Sequence, residues 1–164
     1  MADITAAILT VSDRGSRGER EDTSSLEIRT LLESVFIAVV HYDMVPDEKS
    51  LIAGKIREFA DDKKVDLILT TGGTGVSPRD VTPDATLEVI EKEIPGIAEY
   101  MRMRSATLTP HAVISRAVAG IRNNSLIINL PGSPKGAREN LSFILPALRH
   151  AIEKIKGDPF ECAT

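Results

Sequence analysis

Apolar positions along the chain fall into two kinds of pattern that alternate from one end to the other. Ile4 to Val11 is a continuous apolar run with no helical stripe, and it is followed by the turn-rich Ser12-Asp13-Arg14-Gly15-Ser16-Arg17-Gly18. That combination predicts a buried strand leading into a long loop. Thr23 to Val35 then places Leu26, Leu31, Leu32 and Val35 on one face, with a Ser/Thr cluster at Thr23 to Ser25 as a cap, and predicts a helix. Phe36 to Val45 is rich in β-branched residues and stops at Pro46, after which Ile52, Ile56 and Phe59 recur at helical spacing. Val65 to Thr70 predicts a short buried strand feeding into Gly72-Gly73-Thr74-Gly75.

Thr82-Pro83-Asp84 has the form of a helix start, with Thr82 as N-cap, Pro83 at the first helical position and Asp84 at the positive end of the dipole. Leu87 to Asn123 reads as helices broken at Pro95-Gly96 and Pro110. Ser125 to Leu130 is a further apolar strand, and Ala137 to Lys156 carries Leu141, Ile144, Leu145, Leu148 and Ile152 on one helical face. Strands alternating with helices predict a single-domain α/β fold over residues 1–164, in three α/β/α layers around a mainly parallel sheet. In such sheets ligands bind beyond the carboxyl ends of the strands. The loops after Val11, Val45, Thr70 and Leu130 are therefore expected to converge on one cleft.

Composition narrows the function. With 164 residues, 42% hydrophobic and 27% charged, the chain has the balance of one globular domain. A net charge of -4 and only 4% aromatic residues argue against a binder of bulk nucleic acid, which needs basic side chains and stacking platforms. No run approaches the roughly 20 apolar residues of a membrane span, and Asp3 stands where a secretory signal wants basic residues, so a cytoplasmic protein is expected. Cys162 is the only cysteine, which excludes an internal disulfide. His41, His111 and His150 lack zinc spacing, and neither a GxxxxGK[ST] loop nor a G-x-S-x-G elbow occurs.

The chemistry concentrates in the loops. Gly72, Gly73 and Gly75 remove side chains that would keep an anion from backbone N–H groups, and Thr71 and Thr74 add hydroxyls, which points to a phosphate cradle. A tight turn is the alternative reading. Asp80 in the same loop calls for a bridging cation such as Mg²⁺, or is a turn residue paired with Arg79. Asp47 reads by pattern alone as an N-cap. Ser133 and Lys135, after Pro131-Gly132, suit a second phosphate or acidic group, or an ordinary capped turn.

Thr10-Val11-Ser12-Asp13-Arg14, Val45-Pro46-Asp47-Glu48, Thr70-Thr71-Gly72-Gly73-Thr74-Gly75 with Arg79-Asp80-Val81-Thr82-Pro83-Asp84-Ala85-Thr86, and Leu130-Pro131-Gly132-Ser133-Pro134-Lys135 occur in an order that resembles the molybdopterin adenylyltransferases. The resemblance runs from about Ile8 to about Leu148 and extends to the same domain type in fusion proteins such as gephyrin. It implies a homotrimer that transfers AMP from ATP to the terminal phosphate of molybdopterin with Mg²⁺, releasing pyrophosphate and supplying a separate molybdate-inserting activity. It also implies that Asp47 and Asp80 are the metal-binding and catalytic acids, which reverses the pattern-only reading of Asp47. Thr71 to Gly75 match the nucleotide and phosphate cradle. Ser12, Asp13, Ser115, Arg116, Pro131, Gly132, Ser133 and Lys135 lie in segments that the resemblance associates with the pterin. A non-catalytic pterin-binding module and a nucleotide pyrophosphatase are the competing readings.

Overall fold

The structure is a computed structural model that describes residues 3–157 and Pro159; the expectation for Cys162 lies outside the described residues. Six strands form one sheet in the order β2-β1-β3-β6-β5-β4: β1 Ile4–Val11, β2 Ile37–Val45, β3 Leu67–Thr71, β4 Lys92–Glu93, β5 Ala119–Arg122 and β6 Ser125–Leu130. The first four in this order are mutually parallel, whereas β5 runs antiparallel to β6 and β4 antiparallel to β5. The helices are α1 Asp13–Ser16, α2 Thr23–Ser34, α3 Lys49–Arg57, α4 Thr82–Val89, α5 Pro95–Ala106 and α6 Pro134–Ile155.

Alternation along the central strands builds two cores. Ile4, Ala6 and Ile8 of β1 face α2, α5 and α6, where Ile28, Leu32, Met101, Leu141 and Leu148 close the layer. Ala7, Leu9 and Val11 face the opposite side, against Ile52, Ala53 and Ile56 of α3 and Ala85 and Val89 of α4. Strands covered on both faces are apolar at most successive positions, which is why β1 and β6 read as near-continuous runs, with Thr10, Ser125 and Asn129 their buried polar members. The expected α/β/α layering is therefore observed.

Three local expectations need correction. The segment before Asn123 holds strands β4 and β5 as well as α5 and a 3₁₀ turn at Pro110–Ile114. In α2 the inward residues are Ser24, Ser25, Ile28 and Leu32, while Leu26 is 55% exposed. The cap of that helix is Asp22, whose carboxylate accepts from the Ser25 N–H, one residue ahead of the Ser/Thr cluster.

Strand order sets the position of the ligand cleft. The chain leaves β1 for β2 on one side and then crosses to β3 on the other, so the switch point lies beyond the carboxyl ends of β1 and β3. These ends carry Ser12 and Gly72, which continue the sheet's hydrogen bonding by donating to Val45 O at 2.9 Å and Leu130 O at 3.1 Å.

Candidate active site

A cleft of about 360 Å³ opens at this switch point and is lined from all four loops, among them by Ser12, Asp47, Gly72, Gly73, Asp80 and Ser133. A second, more apolar cleft of about 260 Å³ lies alongside, lined by Thr74, Gly75, Arg102, Ser115, Pro131 and Asn140 among others. Ser133 lines both, and the glycine loop forms the partition: Thr71 to Gly73 face the first, Thr74 and Gly75 the second. The positions that the sequence groups as pterin segments are thus divided between two adjoining spaces. Asp13, Arg116 and Lys135 line neither, and Lys135 projects from the first turn of α6 with its side chain 85% exposed.

The glycine loop depends on backbone angles that other residues adopt at a cost. Gly72 and Gly73 have φ of +105° and +65°, and a Cβ on Gly72 would collide with the Val11 carbonyl. The Gly72 N–H is engaged by Leu130 O, and the Thr71 hydroxyl donates to Pro131 O at 2.7 Å. The N–H groups of Gly73, Thr74 and Gly75 have no protein acceptor among the described residues. Three consecutive free amides at a rim make an anion nest.

Asp47 and Asp13 bracket one another across two loops. The Asp13 N–H donates to Asp47 Oδ2 at 2.9 Å and the Asp47 N–H donates to Asp13 Oδ1 at 3.0 Å. Asp47 therefore does not cap α3: the capping position is Glu48, which makes no side-chain cap bond. Arg79 does not pair with Asp80 but donates from Nε and Nη2 to both Asp13 oxygens, at 3.1 and 2.9 Å, and to Glu48 at 3.0 Å. This clamp holds the Asp13 carboxyl below its usual range, chiefly through the Arg79 hydrogen bonds.

Asp80 sits opposite. Its Oδ2 accepts from the Ser77 N–H at 2.9 Å, closing a local turn, and its Oδ1 has no protein donor among the described residues. The backbone of Asp80 is held from behind by Arg116, which donates to the Asp80 carbonyl at 3.0 Å and forks onto both oxygens of Asp84 at 2.8 Å. Asp47 Oδ1 likewise has no protein donor among the described residues. Burial pushes the Asp47 carboxyl above its usual range; the Asp13 N–H opposes this, and the charges of Asp13 and Asp80 add to it.

A carboxyl raised by burial weighs against folding in its ionised form. The penalty is present at pH values above its folded-state titration and disappears as pH falls below the unfolded value. Asp47→Asn is accordingly expected to melt higher than the parent at pH 8 without ligand, and the gain should vanish toward pH 4. Melting curves across that range are the check, and a variant that melts lower at pH 8 would contradict the assignment.

Several lining residues carry little signal in the sequence. Asp22 lines the first cleft, and its Oδ2 accepts from Thr10 Oγ1 and from the Tyr42 hydroxyl, each at 2.6 Å. Burial pushes the Asp22 carboxyl up, but those bonds and the Ser25 N–H outweigh it and hold it below the usual range. The Tyr42 hydroxyl is pushed up to about 12 by burial and by the Asp22 carboxylate. Ser24 donates to Gly132 O at 2.7 Å, tying the start of α2 to the loop after β6. The one signal in the sequence was the Asp22-Thr23-Ser24 triplet just past Gly18, which reads equally as a cap.

Ser12 and Ser133 are both N-caps, accepting from Gly15 N at 2.9 Å and Gly136 N at 3.1 Å. The second of these starts α6 at Pro134, three residues before the expected Ala137. Thr82 is not the cap of α4; that position is Val81, and the Thr82 hydroxyl has no partner among the described residues. Among the described residues no three His, Cys, Asp or Glu side chains converge tightly enough to hold a metal alone. The acids can supply part of a cation's shell, with ligand oxygens completing it.

The profile of the family described as "Probable molybdopterin binding domain" matches residues 7–150. A molybdopterin adenylyltransferase of Helicobacter pylori strain J99 is 44% identical over 160 residues, covering 96% of this chain and 91% of that protein. One from Escherichia coli K12 is 39% identical over 149 residues, 90% of this chain and 76% of that protein. The crystal structure of the molybdopterin biosynthesis enzyme MoaB from Thermus thermophilus superposes with a TM-score of 0.90 at 51% identity, covering 96% of this chain and 99% of the other. With a profile spanning most of its length and relatives of this identity and coverage, the chain belongs to the molybdopterin-binding domain family of molybdenum-cofactor biosynthesis.

Proposed function

We propose that this protein transfers AMP from ATP to the terminal phosphate of molybdopterin, forming adenylylated molybdopterin and pyrophosphate. The observation that carries this reading is the pairing of three free amides at Gly73 to Gly75 with two carboxylates whose Oδ1 atoms lack donors, at the partition between two clefts. Two adjoining spaces suit two substrates that must meet. The names of the Helicobacter pylori and Escherichia coli relatives support the same activity.

In this reading a terminal phosphate oxygen of molybdopterin attacks the α-phosphorus of ATP, and the bond from that phosphorus to the oxygen bridging to the β-phosphate breaks. The attacking phosphate is already anionic, so no protein base is required. The Gly73, Thr74 and Gly75 amides hold phosphate oxygens and stabilise the charge that spreads over them. Asp47 and Asp80 fit a Mg²⁺ ion because each has an unengaged oxygen and their mutual repulsion leaves a cation's charge wanted; bound there, the ion would neutralise phosphate charge. Arg79 keeps Asp13 and Asp47 in register, and Arg116 does so for Asp80.

The protein is proposed to act in the cytoplasm, where ATP is the abundant donor, and as a homotrimer handing its product to a molybdate-inserting partner. The apolar groove lined by Ile97, Tyr100, Phe143 and Ala147 on α5 and α6 is surface that such an assembly would cover. Incubation with molybdopterin, ATP and Mg²⁺ followed by chromatography is expected to give adenylylated molybdopterin and one pyrophosphate per turnover. ATP consumption without the pterin would indicate a pyrophosphatase, and pterin binding without product a binding module; either outcome defeats the proposal.

A further inference from the structure

Thr82 Oγ1 is a buried side-chain atom without a hydrogen-bond partner, in a residue with no exposure. The groups that tie its backbone to the sheet are connected. Asn129 Nδ2 donates to Thr70 Oγ1 and Thr86 Oγ1 at 2.9 Å, and Thr86 Oγ1 donates to the Thr82 carbonyl at 2.8 Å. The Thr82 N–H donates to the Gly73 carbonyl at 3.1 Å. The backbone of Thr82 is thus wired to β3, β6 and the glycine loop, and only its hydroxyl is left over. A buried hydroxyl without an acceptor costs stability, and valine would fill nearly the same space without that cost.

The hydroxyl is placed beside the reactive loop. A Cβ on Gly73 would collide with Thr82 Oγ1 and come within 3.1 Å of Asp47 Oδ1, so both oxygens flank the same point under the loop. Asp47 Oδ1 is also the oxygen that Asp13 leaves unengaged. A donor with no acceptor and an acceptor with no donor therefore stand together on the Cβ side of Gly73.

Resting on the transferase reading above, we infer that Thr82 is a positioning residue whose hydroxyl donates to Asp47 Oδ1 when that carboxylate turns to meet the phosphates and cation. The bond fixes the carboxylate in the orientation that meets the phosphates. The unpartnered hydroxyl is the stability cost of keeping this donor in reserve.

Thr82→Val and Thr82→Ser separate this role from simple packing. Without ligand, the valine variant is expected to melt no lower than the parent. With molybdopterin, ATP and Mg²⁺ its single-turnover transfer should slow about tenfold with little change in KM, the scale of one lost hydrogen bond. Its melting gain on adding ATP and Mg²⁺ should shrink, and the serine variant should recover most of both. A valine variant with the parent's rate and ligand-induced melting gain, a serine variant as impaired as valine, or a valine variant that melts lower without ligand would each overturn the role of Thr82. A parent protein that forms no adenylylated pterin removes the transferase reading itself, a result distinct from these three.

Discussion

Asp80→Asn is expected to slow single-turnover AMP transfer at least about a hundredfold while barely moving the melting temperature. Asparagine keeps an oxygen that can accept from the Ser77 N–H, so the turn that Asp80 closes survives the change. The Arg116 contact is with the Asp80 carbonyl, which the substitution leaves in place. What disappears is the negative charge facing the first cleft opposite Asp47. Loss of a group that stabilises charge in a transition state is worth on the order of 3 kcal/mol. A change at a half-buried loop position with its hydrogen bond retained falls within about 0.5 kcal/mol of stability. Rate and melting curve measured on the same preparation decide the case, and a folded variant with near-parent rate would reduce Asp80 to a turn residue.

The contrast between those two effects shows what could be read from sequence. β1 and β6 are legible to the residue because a strand covered on both faces is apolar at most successive positions. β4 and β5 were not: Lys92–Glu93 is two exposed residues, and Ala119–Arg122 alternates too briefly to stand out behind Pro110. Their pairing is decided by the neighbouring strand and by the turn at Asn123, whose φ of +50° asparagine tolerates. Leu26 falls inward by period, yet the start of α2 turns Ser24 toward Gly132, and Leu26 is left outside.

The site divides in the same way. Glycines, a first-turn proline and an acid at a fixed offset are local signals, so Gly72, Gly73 and Asp80 stand out in the bare sequence, whereas Asp47 reads by pattern as an N-cap and is singled out only by the resemblance. Partner choice is not local. Arg79 adjoins Asp80 in sequence but bonds Asp13, 66 residues away, because the turn at Ser77 points the two side chains apart. That Gly72 uses its amide within the sheet, leaving Gly73 to Gly75 as the free donors, likewise follows from the pairing of β3 with β6.

Gly73→Ala is expected to damage both fold and reaction, which distinguishes it from Asp80→Asn. At φ +65° an L-residue costs about 1–2 kcal/mol, and forcing a methyl against Thr82 Oγ1 and to 3.1 Å from Asp47 Oδ1 adds overpacking of about 1–3 kcal/mol. For a chain of this length each kcal/mol lowers the melting temperature by roughly 2–4 °C, so a fall on the order of 10 °C is expected. The same methyl displaces the Asp47 carboxylate and the amide that Gly73 presents to phosphate, and a shift of about 1 Å in such groups costs about a hundredfold in rate. Gly54→Ala is the matched control: nothing lies within 4 Å of its added Cβ, and alanine within α3 should raise the melting temperature slightly without touching transfer. Should Gly73→Ala retain the parent's rate while Gly54→Ala behaves as expected, the glycine loop would be a turn required by the fold alone, and the cradle would have to be sought elsewhere in the cleft.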